Sequence, residues 1–110
     1  MLAQKIEALR AECKKVGRDP ATLRLSEQAI LVIVKDKAEL DAAMPTARRH
    51  YGDEAYGLDA AGYIGTPDAI IKRIRERAAL GVTLFTFFFH DRAQLKTLEL
   101  FAKEVLPAFA

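Results

Sequence analysis

Little in this sequence commits it to a specialised class. It has one cysteine, Cys13, so neither an intrachain disulfide nor a cysteine-built metal cluster is available. His50 and His90 do not stand with it at metal-ligand spacing, and no metal is expected. No apolar run approaches the ~20 residues of a membrane-spanning helix, and no membrane partner is expected. The opening MLAQKIEALRAECKK is charged throughout, unlike a secretory signal. An excess of one charge is also missing. The 17 basic and 15 acidic residues leave a net charge of +2, too balanced to argue for nucleic acid. No Gly-Lys-Ser/Thr follows a glycine loop, so there is no P-loop. No linker, repeat or low-complexity stretch divides the chain, and residues 1–110 fit one domain. The lone cysteine suits a reducing cytoplasm.

The punctuation of secondary structure is more informative. Residues 65–89, GTPDAIIKRIRERAALGVTLFTFFF, form one αβ unit. Thr66 is placed to cap a helix through its side chain, Pro67 fits the first helical position, and Asp68 suits the dipole. Gly81 can end the helix in a left-handed conformation. The following LFTFFF is apolar on both faces, the pattern of a strand covered on two sides. Ile70, Ile71, Ile74 and Ala78 are expected to face inward.

Three further helices and one strand are predicted. Leu2, Ile6, Leu9, Cys13 and Val16 make one face of a helix over residues 2–16. Ala29 to Val34 reads as a second strand buried on both faces. Asp36 with Glu39 resembles a capping box, which starts a helix near Lys37. Pro45 is expected to end or kink that helix near Met44. Residues 46–64 read as a short helix or irregular loop carrying Tyr51, Tyr56 and Tyr63, for a pocket, an interface or packing. The last helix, about Ala93 to Leu106, has a stripe of Leu95, Leu98, Phe101, Ala102 and Val105.

The fold class is therefore α/β, with about two parallel buried strands and three to four helices. Two parallel strands are a poor independent sheet, and their uncharged edges invite pairing. The chain is expected to associate, most simply as a symmetric homodimer.

Three segments, KIEALRAECKKVGRDPATLRLS (5–26), the unit 65–89 and LKTLELFAKEVLPAF (95–109), resemble the C-terminal region of luciferase-like monooxygenases. The resemblance is strongest to the deazaflavin-dependent branch. It implies a segment of a (β/α)₈ barrel, a fold that needs about 250 residues when complete. This chain would supply the C-terminal part, and a homodimer or a partner chain would complete it. The resemblance implies an oxidoreductase using FMN or a deazaflavin, with hydride or oxygen chemistry at the reduced ring, although the family's cofactor-binding strands lie outside this length. The chain is expected to be inactive by itself. The alternative is a noncatalytic, self-associating α/β module.

Barrel active sites lie at the C-terminal ends of strands. Here those ends are Lys35-Asp36 and His90-Asp91-Arg92. His90 is the candidate for proton transfer or for the edge of a cofactor ring. Gly65 and Thr66, whose free N–H groups could hold a phosphate, and Arg92 are the cofactor-binding candidates. The competing reading makes His90 part of a polar turn, Asp91 an N-cap and Thr66 a structural cap. The basic runs Arg48-Arg49-His50 and Lys72-Arg73-Arg75-Arg77 read as solvated helix faces.

Overall fold

The computed structural model describes residues 2–52 and 58–110. Among the described residues, five helices and three strands follow one another as α1 (Leu2–Lys15), β1 (Leu25–Ile33), α2 (Lys37–Tyr51), α3 (Leu58–Ala61), β2 (Tyr63–Gly65), α4 (Pro67–Ala79), β3 (Val82–Phe89) and α5 (Leu95–Glu104). Short 3₁₀ turns at Pro20–Thr22 and Leu106–Phe109 complete the path. The α/β expectation holds, with one strand more than the sequence suggested. All pairing is parallel, and the sheet order is β2-β1-β3.

β1 is central because it is apolar on both faces. Ala29, Leu31 and Ile33 point to one side, where they meet Tyr63, Ile70, Ile74 and Val105. Ile30 and Val32 point to the other, against Ala47 and Leu58. Thus α4 and α5 cover one face, while α2 and α3 cover part of the opposite one. The crossover from β1 to β2 and the one from β2 to β3 run in opposite directions across the sheet, and a common right-handed sense puts their helices on opposite faces. Three parallel strands with their helices make only a segment of the eight-stranded barrel that closure needs.

β3 is not covered on both faces, contrary to the pattern read from LFTFFF. Phe85, Phe87 and Phe89 are half-buried on the α4–α5 side, whereas Leu84 is 60% and Phe88 38% exposed. The cause is position: β3 is an edge strand, and α2 meets its bare face through Tyr51 at Phe88. Among the described residues, no strand pairs with the outer edge of β3.

The slab measures 50 × 33 × 19 Å with a radius of gyration of 15.7 Å. A compact domain of this length has about 13 Å. The accessible surface is 7306 Å², against about 6,100 Å² for a compact monomer of this mass.

Local chemistry explains two of the element ends. Asp36 Oδ1 accepts the Glu39 N–H at 2.9 Å, and Glu39 Oε2 reaches back to accept the Lys35 N–H at 2.7 Å. Gly81 adopts φ +105° after α4, as its missing Cβ allows. Thr66 occupies the N-cap of α4, but its side chain makes no capping bond.

Pro45 neither ends nor visibly divides α2, which continues to Tyr51. The lost N–H forfeits one helical bond, but the turn beyond it is anchored. Ala47 is fully buried, and Tyr51 Oη donates to the Phe89 carbonyl at 3.0 Å. Residues 46–64 therefore contain the end of α2, then α3 and β2. Tyr56 lies outside the described residues.

The last helix keeps Phe101 and Val105 of its predicted stripe inward but is rotated enough to expose Leu95, Leu98 and Ala102 and to turn Thr97 and Leu100 inward. A bond from the Thr97 hydroxyl to Asp91 Oδ2 fixes that rotation. On α1 only Ile6 and Cys13 are buried; Leu9 is exposed, as is Val16 just beyond the helix. Ala78 of α4 is also exposed.

Several residues of the basic runs are engaged within the chain, while Lys72 and Arg75 are exposed. Arg48 holds Asp59 through two bonds of 2.9 and 3.1 Å. Arg73 lies over the Tyr63 ring, and Arg75 over that of Phe109. Arg77 sits 3.8 Å from Glu27, which accepts the Tyr63 hydroxyl at 3.0 Å.

Candidate functional site

Parallel strands bring their C-terminal ends to one side of the sheet, and the polar residues after β1 and β3 meet there. A cleft of about 250 Å³ is floored by Ile33, Ala43 and Leu100. Lys35, Glu39, His90, Asp91, Lys96 and Thr97 line its rim.

His90 extends β3 by one rung, its N–H donating to the Leu31 carbonyl at 2.9 Å. The residue is 8% exposed, and its ring Nδ1 has no hydrogen-bond partner. Desolvation pushes its pKa below the ordinary 6.5, so the ring is neutral at physiological pH. His50 lies 2.8 Å from the His90 carbonyl through Nδ1. A carbonyl only accepts, so that nitrogen carries the proton.

The turn that follows is tight. Arg92 and Ala93 both adopt φ 59°, an uncommon left-handed pair for residues with a Cβ. The turn aims the Asp91 carboxylate at α5, where it accepts the Thr97 hydroxyl and the Gln94 N–H. Asp91 is therefore a turn anchor, while Gln94 occupies the N-cap position of α5.

Across the cleft, Glu39 accepts from Lys96 Nζ at 3.1 Å. The Lys35 N–H, followed by Lys96, holds its carboxyl below the ordinary 4.5. The arrangement offers a neutral buried imidazole, a charged carboxylate–ammonium pair and an apolar floor. Such a set can exchange a proton or orient the polar edge of a ligand. No group of three metal ligands occurs among the described residues.

The other candidates are not gathered with His90. Gly65 ends β2, and its carbonyl accepts the Val34 N–H at 3.1 Å. Thr66 opens α4 and lines a separate, shallow surface depression with Lys35, Asp68, Leu100 and Glu104. Its two carboxylates oppose an anion there. Lys35 and Leu100 border both places. Arg92 is exposed and lines neither.

Sequence reasoning did not include Glu39, Lys96 or Thr97 in the site. Glu39 carried only the capping signal. Lys96 and Thr97 lie on the first turn of the helix that begins beside the strand end, and that proximity was the available clue.

No family model matches the chain, and no curated protein matches it by sequence. Among solved structures, the chain is similar to the coenzyme F420-dependent tetrahydromethanopterin reductase from Methanopyrus kandleri, with a TM-score of 0.66 and 17% sequence identity. The match covers 98% of this chain but 42% of that protein. At this identity the likeness establishes a shared fold: the chain has the α/β architecture of one part of that enzyme.

Proposed function

We propose that the chain supplies the C-terminal strands of a luciferase-like, flavin- or deazaflavin-dependent oxidoreductase and is inactive by itself. The likeness to an F420-dependent reductase over nearly the whole chain supports this reading. So does the three-segment sequence resemblance. The observation that carries it is the cluster around His90 at the C-terminal ends of β1 and β3, where barrel enzymes keep their chemistry.

A flavin-type cofactor does not fit within this cleft. Its 250 Å³ lies below the ~300–1,000 Å³ of sites that enclose small molecules. The Asp91 and Glu39 carboxylates are already engaged within the chain. In this reading the chain forms one wall: Ile33 and Leu100 supply apolar contact, and His90 a proton-exchanging edge. The buried free thiol of Cys13 suits a reducing cytoplasm.

Capture of the tagged chain from its own cells tests the reading. The expected eluate contains a further polypeptide and the absorbance of F420 or FMN. A colourless eluate of this chain alone would refute the oxidoreductase assignment. Micromolar binding of either cofactor to the isolated chain would refute its incompleteness. A noncatalytic, self-associating module is the second reading, and the open edge of β3 favours it.

A further inference from the structure

We infer that the outer edge of β3 is an interface for a second copy of this chain, with the two β3 strands antiparallel about a twofold axis at Thr86. This inference concerns a different surface from the His90 cleft and rests on the self-associating reading, because a partner chain that completed a barrel would pair with the same edge of β3.

The backbone dictates which groups are available. The His90 N–H points to β1, where it donates to Leu31. Backbone groups alternate in direction along a strand, so those of Phe85 and Phe87 point to the open edge. Those of Phe89 do too, and its carbonyl there accepts the Tyr51 hydroxyl. Nearer the N-terminus the pairing with β1 is irregular around Thr83. Phe85 and Phe87 are thus the two residues best placed to receive a new strand.

The sequence of the strand is self-complementary about Thr86. It reads Leu84-Phe85-Thr86-Phe87-Phe88, apolar on either side of one threonine. With Thr86 opposite its own copy, Phe85 faces the Phe87 of the second copy and exchanges two N–H···O bonds with it. The symmetric pair makes two more. The same register sets Leu84 beside the second copy's Phe88. These are the two large apolar side chains that β3 exposes, at 60% and 38%. Phe88 keeps its ring contact with Tyr51, 6.2 Å between centroids.

Two further observations favour a second copy. No residue from Val82 to Phe89 is charged or a proline, so the devices that keep edge strands apart are missing. The surface in excess of a compact monomer, about 1,200 Å² from the 7306 Å² measured, exceeds the ~800 Å² per partner of a standard interface. Twofold pairing closes the assembly after two copies, as a six-stranded sheet.

Light scattering after size exclusion, on the full chain at tens of micromolar, reads the mass directly. Two copies are expected. Thr86→Lys puts like charges directly opposite one another across the axis. It leaves an exposed position exposed in the single chain. It is expected to give a monomer with an unchanged far-ultraviolet spectrum. Thr86→Cys should cross-link under mild oxidation, because directly opposed residues of this kind lie about 4.5 Å apart at Cα, within disulfide range. The parent chain, with Cys13 buried, should not. A monomeric parent chain overturns the inference. So does a dimer that persists in Thr86→Lys together with a Thr86→Cys variant that fails to cross-link.

Discussion

Removing one oxygen from Tyr63 tests both the placement of β2 and the network beneath it. Tyr63 is fully buried. Its hydroxyl donates to Glu27 Oε2 at 3.0 Å, and Arg77 lies 3.8 Å from the same oxygen. Tyr63→Phe keeps the ring, its edge-on contact with Phe87 at 4.9 Å and the guanidinium of Arg73 above it. It takes from a mostly buried carboxylate its hydrogen-bond donor. Bonds to charged groups contribute about 1.5–3 kcal/mol, so the expected loss at pH 8 is about 2 kcal/mol. Urea unfolding followed by far-ultraviolet circular dichroism would read it as a midpoint lower by about 1 M, at a slope of ~2 kcal/mol/M.

The pH dependence provides a sharper readout. Burial, then the bond to Glu27, raises the Tyr63 pKa well above its ordinary 10.0. The unfolded chain loses this proton near pH 10, while the folded chain keeps it. The stabilisation is therefore complete below pH 10 and is lost as pH rises toward the folded value. One proton corresponds to at most ~1.4 kcal/mol per pH unit. Between pH 10 and 11.5, the parent chain should lose about 1.5 kcal/mol more than Tyr63→Phe. Groups other than Tyr63 titrate in both proteins and cancel. Equal midpoints at pH 8 with parallel alkaline slopes would refute the buried pairing.

Three other outcomes follow from the structure. Asp36→Ala removes the cap that accepts the Glu39 N–H; it should cost about 1 kcal/mol and lower the melting temperature by about 4–8 °C. Ala93→Gly relaxes a residue at φ 59°; the relief of ~1–2 kcal/mol exceeds the entropic cost of glycine, ~0.5–1, so the variant should melt a few degrees higher. Phe87→Asp sets an unpaired charge among the rings of Tyr63, Phe85 and Phe101; it should abolish the cooperative unfolding transition, and retention of parent stability would show the strand face to be misassigned.

The sequence made the local signals visible and the distant ones not. The capping pair Asp36–Glu39 and the helix-to-strand passage at Gly81 follow from chemistry within a few residues. β2 escaped because three residues cannot display a period. Pro45 was read by its intrinsic preference, which the buried Ala47 beyond it overrides. The α5 stripe contained enough leucines to suggest the wrong face, until the bond from Thr97 to Asp91 decided the rotation. At the site, His90 was legible as a polar residue after an apolar strand. Lys96 was not, because its partner Glu39 is fifty-seven positions away.

The central place of β1 also sets an order of events in synthesis. Leu25 pairs with Val82, and Leu31 with Phe89, so each rung of the main ladder closes a loop of nearly sixty residues. Its first cross-strand neighbour, β2, offers only three rungs. At ~5–20 residues per second, a newly made β1 waits seconds for its long partner. During that interval its run of buried apolar residues, Ala29 to Val34, is exposed to other nascent chains. Parallel pairing over such distances is slow to form. Yield on refolding should therefore fall with protein concentration, and release from the ribosome is the step at which a chaperone would have most to protect.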